Sequence, residues 1–261
     1  MNDEQSRAQS EPPCPLDARI ATRYFAAPPG GTHQWMPQAA GDLTPGREVV
    51  FIRPSSTALH LHSAWRAAHE AARLQPQIRW TQGAALRSQK AQPILVRQVA
   101  PDDSGALFDY FEYAMTSAMS AYAALESFCN QIITERVSAP VFVKSKRKAL
   151  TPEEIERWTS TDEKLSRIVP DALSLPSPSG KAVWQAYANL KEVRDNVTHF
   201  KRKDQAALGL EPESEQTVLY KLTCVDPYEF PEAAQTVLRY FNNGAMQMHW
   251  LDSPLMQRVA L

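Results

Sequence analysis

From Leu107 to Val137 the chain runs without a proline or a glycine, and alanine recurs throughout. A run of about thirty such residues has one regular solution, a helix on the order of 45 Å long. Phe111, Ala114, Ala118, Ala121, Leu125, Phe128 and Ile132 make one stripe along it. Met115, Met119, Tyr122, Cys129 and Ile133 make the next. Two adjacent stripes form a wide apolar face, which predicts a helix central to a bundle. Glu126 falls inside the second stripe, with Asn130 one turn on. A carboxylate on a buried face requires a partner, and the plain reading is a structural ion pair.

The segments after this helix read as its neighbours. Pro140 to Lys148 reads as a loop carrying Lys144, Lys146, Arg147 and Lys148. Such a run is ordinarily a solvated loop and, by itself, a weak sign of a phosphate-binding surface. Thr151-Pro152-Glu153-Glu154 and Ser160-Thr161-Asp162-Glu163 each pair a hydroxyl with a Glu three residues on, the pattern of a capping box. They predict helices from Pro152 to about Thr159 and from about Thr161 to Val169, then a Pro- and Ser-rich loop from Pro170 to Ser179. The next helix is expected to be capped by Ser179 and to run through Ala182 to Lys203. Its stripe is Val183, Tyr187, Leu190, Val193, Val197 and Phe200. Lys201, Arg202 and Lys203 close it, where cations suit the helix dipole. Ala206 to Glu215 reads as loop, Thr217 to Cys224 as extended, and Pro231 to about Leu251 as a last helix. Short connections imply antiparallel neighbours.

The first hundred residues have another character. Residues 1–15 read as a disordered tail, and residues 26–46, rich in Pro and Gly, mostly as loop. Arg47 to Arg53 predicts a strand and Thr57 to Leu74 a helix. Gln77 to Thr81 and Ile94 to Val99 predict short strands. Pro101 to Ser104 reads as a boundary. The expected organisation is mainly α: a small α/β module over residues 16–103 and an antiparallel helical bundle over residues 104–255. The 261 residues carry a net charge of −1, so nucleic-acid binding would need a local patch. Three separated cysteines, Cys14, Cys129 and Cys224, argue against a disulfide framework. The start of the chain lacks a secretory pattern, and no apolar run is long enough for a bilayer, so a cytoplasmic protein without membrane partners is expected.

Arg194 and His199 are where chemistry would lie. Arginine and histidine separated by four to six residues is a cheap pattern, and Arg53 with His60 matches it too. The second pair crosses a strand-to-helix junction; the first lies within one helix. Arg194 borders the apolar stripe, and Glu126 on the long helix is a candidate partner. Asp195 and His199, four apart, share a face, so the carboxylate can orient the imidazole. An imidazole can take a proton from a 2′-hydroxyl or give one to a leaving oxygen, and a guanidinium can hold developing phosphorane charge. On an ideal helix the two residues lie about 140° apart, which points to a second copy completing the site. Other motifs are weaker. Ser177-Pro178-Ser179-Gly180-Lys181 lacks the first Gly and the final hydroxyl of a phosphate loop. His60, His62 and His69 diverge or lie too far apart for one ion.

Arg194-Asp195-Asn196-Val197-Thr198-His199 resembles the signature of HEPN-domain proteins. Trp184 to Lys201 is similar to that family's third helix, and Ala123 to Asn130 to its first, where a Glu and an Asn recur. Residues 153–158 and 160–165 fit the helices between, so the resemblance spans roughly 105–250. It implies a helical bundle, commonly a homodimer, acting as a metal-independent endoribonuclease without a cofactor, in toxin–antitoxin or phage-defence systems. Arg194 and His199 would then be catalytic, Asp195 supporting, and Glu126 and Asn130 would back them. Lys201, Arg202, Lys203, Lys144, Lys146, Arg147 and Lys148 would contact RNA. Lys201 stands where some members carry a tyrosine modified by an antitoxin, which sets this chain apart from that form of regulation. The alternative is a catalytically inactive module of the same fold that binds or scaffolds a partner.

Overall fold

The structure, a computed structural model, describes Asp17, Arg19 and residues 23–27, 31–35, 38–44, 46–86, 94–199, 217–242 and 248–258. It is mainly helical, with short antiparallel hairpins, and divides into two units, residues 1–55 and 56–261.

The first unit holds two hairpins: the strand expected from Arg47 is present, and strands also occupy much of residues 26–46, where mostly loop was expected. Strand β1 (Arg23–Ala27) pairs with β2 (Gly31–Trp35), and β3 (Gln38–Thr44) with β4 (Arg47–Ile52). Gly46 takes φ 79° in the turn between β3 and β4, a conformation that costs glycine nothing. The Pro- and Gly-rich stretch thus contains strands between its turns, because short antiparallel strands need little more than turns at the right interval. The predicted tail, residues 1–15, lies outside the described residues.

In the second unit α1 (Ser56–Leu74) packs along α2 (Ser104–Arg136). Small side chains make this possible: Ala58, Ala64, Ala68 and Ala71 on α1 and Ala114, Ala118 and Ala121 on α2 are all buried. Ser117 Oγ donates to the Ala64 carbonyl at 2.9 Å within that contact. The boundary expected near residue 104 is therefore corrected. Helix α1 belongs with the helices, and the division falls before it. The hairpin of β5 (Trp80–Leu86) and β6 (Ile94–Val99) belongs with it too. Arg79 Nε donates to Asp103 Oδ2 and Arg79 Nη2 to Oδ1, both at 2.8 Å, which ties this hairpin to the start of α2. The boundary expected at 101–104 is thus a fastened corner.

Beyond α2, β7 (Val141–Val143) and β8 (Lys148–Leu150) form a hairpin where a loop was expected. Val143 and Leu150 are buried with Ile133, Ile155 and Ile168 in a small separate core. Helix α3 (Pro152–Trp158) opens with the full capping box at Thr151. Helix α4 (Thr161–Glu163) is capped by Ser160, whose side chain accepts from the Glu163 N–H. The chain then passes through a π-helical stretch, Lys164–Ile168, into α5 (Val169–Leu173). Loop was expected from Pro170, but the helix runs through it. A proline leaves the carbonyl four residues back without its helical donor. Here that carbonyl, Ser166, accepts from Ser177 Oγ at 2.6 Å. The wider π turn accommodates the ring.

Helix α6 (Ala182–Thr198) starts later and ends earlier than expected. Lys181, with no side-chain cap bond, stands at its N-cap in place of Ser179, and Gly180 turns at φ 78° before it. His199 is its C-cap. Phe200 and the expected loop from Ala206 to Glu215 lie outside the described residues. Helix α7 (Val218–Cys224) occupies the stretch expected to be extended. Thr217 Oγ1 accepts the Tyr220 N–H, and Val218 and Leu222, four apart, are both buried. Burial of that helical pair outweighs the β-preference of the sequence. Helix α8 (Glu229–Phe241) is shorter than predicted and packs on α2, α6 and α1. No helix among the described residues is long and apolar enough to cross a membrane.

Candidate functional site

Tyr122, Glu126 and Asn130 recur every four residues on α2, so they stand one above the other on a single face. Lys191, Arg194 and Asp195 of α6 face them. The α3–α4 corner supplies Glu156, Arg157, Thr159, Ser160, Thr161, Asp162 and Lys164. Together these residues line a groove of about 540 Å³.

Arg194 is the hub of this groove. Its guanidinium carbon lies 3.8 Å from the centre of the Tyr122 ring, a close cation–π contact. Nη1 reaches Asp195 Oδ1 at 2.9 Å, and Nη2 lies 3.7 Å from Glu126 Oε1. The Glu126 partner expected from sequence is thus present. Its burial is not: the Glu126 side chain is 47% exposed, so it sits at the groove and not within the core. Glu126 Oε1 also accepts from Thr161 Oγ1 at 3.1 Å.

Asp195 is engaged differently from the expectation. Besides Arg194 it takes Lys191 Nζ at 3.1 Å. That hydrogen bond holds the Lys191 ammonium above the ordinary lysine range. Among the described residues the Asp195 carboxylate makes no hydrogen bond to the His199 imidazole. His199 is exposed just past the helix, where its N–H donates to the Asp195 carbonyl at 3.1 Å, and it is not among the groove residues. Thr198 Oγ1 donates back to the Arg194 carbonyl at 2.8 Å in that last turn, a bond that competes with continuing the helix.

Asn130 has a structural partner. Its Oδ1 accepts from Lys164 Nζ at 2.9 Å, and the Glu156 carbonyl accepts from the same ammonium at 2.8 Å. Lys164 is buried, which pulls its pKa down, against the raising effect of nearby carboxylates. Neither Lys164 nor Lys191 was singled out from sequence. The available signal for Lys164 was its place four residues after the Ser160 cap, beside apolar Leu165. Tyr122 was read as core, and it is buried, but its ring serves Arg194. Four carboxylates (Glu126, Glu156, Asp162, Asp195) meet four cations (Arg157, Lys164, Lys191, Arg194), so the groove is charge-balanced and not basic.

The basic run lies elsewhere, on the tip of the β7–β8 hairpin, where Lys144, Lys146, Arg147 and Lys148 are all exposed. Glu163 organises that tip, accepting from the Lys144 N–H at 2.8 Å, from Ser145 Oγ at 2.6 Å and from Arg167 Nη2 at 2.9 Å. Burial raises the Glu163 carboxyl, but these bonds together outweigh it and the net direction is downward. A carboxylate with a lowered folded-state pKa contributes stability above its unfolded value of about 4.3, lost as pH falls through the folded value. Melting temperature is therefore expected to drop on acidification below about pH 4, and Glu163→Gln to flatten part of that drop. An acid profile identical in the variant would remove the Glu163 contribution. Lys201, Arg202 and Lys203 lie outside the described residues.

Among the described residues no group of three or more His, Cys, Asp or Glu side chains is placed to hold a metal. No protein-family model, curated protein or solved structure matches the chain.

Proposed function

We propose that the chain is a metal-independent endoribonuclease of the HEPN type, in which Arg194 and His199 act on the RNA phosphodiester at the meeting of two copies. The observation that carries this reading is an oriented Arg194 near the end of α6 with an exposed His199 at that helix's C-cap. Tyr122 and Asp195 hold the guanidinium, while its contact to Glu126 is loose at 3.7 Å and can give way to a phosphate oxygen. His199 sits clear of the packed core, so proton transfer with a 2′-hydroxyl or a leaving oxygen needs no rearrangement of the fold. A toxin–antitoxin or phage-defence setting, and an antitoxin partner, belong to the same reading through the motif.

The test is RNA incubated with the purified protein in the presence of chelator. Expected products end in a cyclic phosphate, and His199→Ala lowers the rate on the order of 100-fold or more with the melting temperature unchanged. Cleavage that persists in both His199→Ala and Arg194→Ala, or no cleavage by the unaltered protein across conditions, removes the reading.

One arrangement favours a second reading, a binding or scaffold module of the same architecture. Arg194 already has two carboxylates and a ring, as a structural cation would, and His199 does not line its groove. RNA bound but uncut would select it.

A further inference from the structure

We propose that the β7–β8 hairpin is a docking arm for single-stranded RNA, with Phe142 as a stacking platform beside a cluster of uncompensated cations. This rests on RNA being the ligand proposed above. Among the described residues Lys144, Lys146 and Arg147 have no ion-pair partner, and Lys148 reaches only Glu154, at 3.8 Å. In a chain of net charge −1 this is a local positive surface. The carboxylate beside it, Glu163, is taken up by the Lys144 N–H, the Ser145 hydroxyl and Arg167, so it organises the tip without pairing to a lysine ammonium.

The arm is built and held. Val143 is buried in the small core and Phe142, its neighbour in the strand, points the other way with 58% exposure. Ala149 is the cross-strand partner of Phe142, so a methyl group leaves the ring uncovered. Arg167 Nη2 donates to the Phe142 carbonyl at 2.7 Å, which fixes the backbone behind that ring. Trp158, 61% exposed, follows at the end of α3 between Arg157 and Thr159, both groove residues. Exposed rings amid cations suit unpaired bases and their phosphates, whereas a duplex hides its base faces.

The test is fluorescence anisotropy of a labelled oligouridylate, with the same length of duplex RNA, inorganic polyphosphate and anionic lipid vesicles as comparisons. His199→Ala protein serves as background, so binding is read without cleavage. Phe142→Ala is expected to weaken single-strand binding about tenfold and to leave polyphosphate binding unchanged, and Phe142→Trp to restore it. Lys144→Gln combined with Lys146→Gln and Lys148→Gln is expected to lower the salt dependence by about two ions. Unchanged oligouridylate binding in these variants overturns the proposal, as does equal or tighter binding of duplex or vesicles. Binding at the arm by an unaltered protein that cuts nothing would keep this inference and remove the ribonuclease.

Discussion

Phe128→Ala is expected to lower the unfolding free energy by about 3–5 kcal/mol. Phe128 is fully buried in the C-terminal half of α2, and its ring lies 5.4 Å from that of Phe241 on α8. Truncation removes that aromatic contact and leaves a cavity between two helices whose backbones are already fastened by other buried residues. Collapse around the void would be partial, which puts the cost toward the upper part of the range. Against a typical total of about 5–15 kcal/mol, such a loss is a large share of the fold's stability. A urea titration gives the number directly. Phe142→Ala, on the hairpin surface, provides the contrast, expected to change stability by about 0.5 kcal/mol or less. Equal destabilisation by both would mean that α2 is not the centre of the structure.

Arg194→Lys is expected to lower the RNA cleavage proposed above on the order of 100-fold, close to the loss in Arg194→Ala. Charge is kept in the lysine variant, so a purely electrostatic role would leave most activity. The guanidinium here is planar, lies on the Tyr122 ring and turns one edge to Asp195 and another toward Glu126. An ammonium cannot satisfy those directions together or present two parallel donors to a phosphate. Single-turnover rates at saturating RNA separate this from weaker binding. Wild-type rates in Arg194→Lys would reduce the residue to a point charge.

Much of the architecture was legible from local rules. The long helix follows from thirty residues free of breakers, and α3 from a capping box whose two hydrogen bonds both form. These are short-range effects, set by neighbours three or four residues away. Thr217 to Cys224 shows where such rules fail. Its β-branched and aromatic residues favour a strand, yet Val218 and Leu222 gain more by burying together on one face of α7. Strand β4 was legible as Arg47 to Arg53, whereas the strands within residues 23–44 were hidden, since turn residues were visible and the short stretches between them carried little signal.

The site divides along the same line. Arg194, Glu126 and Asn130 could be named from their spacing on two helices, and the Arg194–Glu126 pair could be anticipated as a cation and a carboxylate each needing a partner. No local pattern announces that Tyr122 lies under Arg194 or that the buried Lys164 finds Asn130. Those contacts join residues tens of positions apart, and only the packing of α6 and the α3–α4 corner against α2 selects among the possible partners. The amino-acid order by itself determined the long helix and the capped helix α3, and which charged groups must find company. Tertiary structure decided whose company they keep, because a hydrogen bond or ion pair depends on distances that only the folded chain sets.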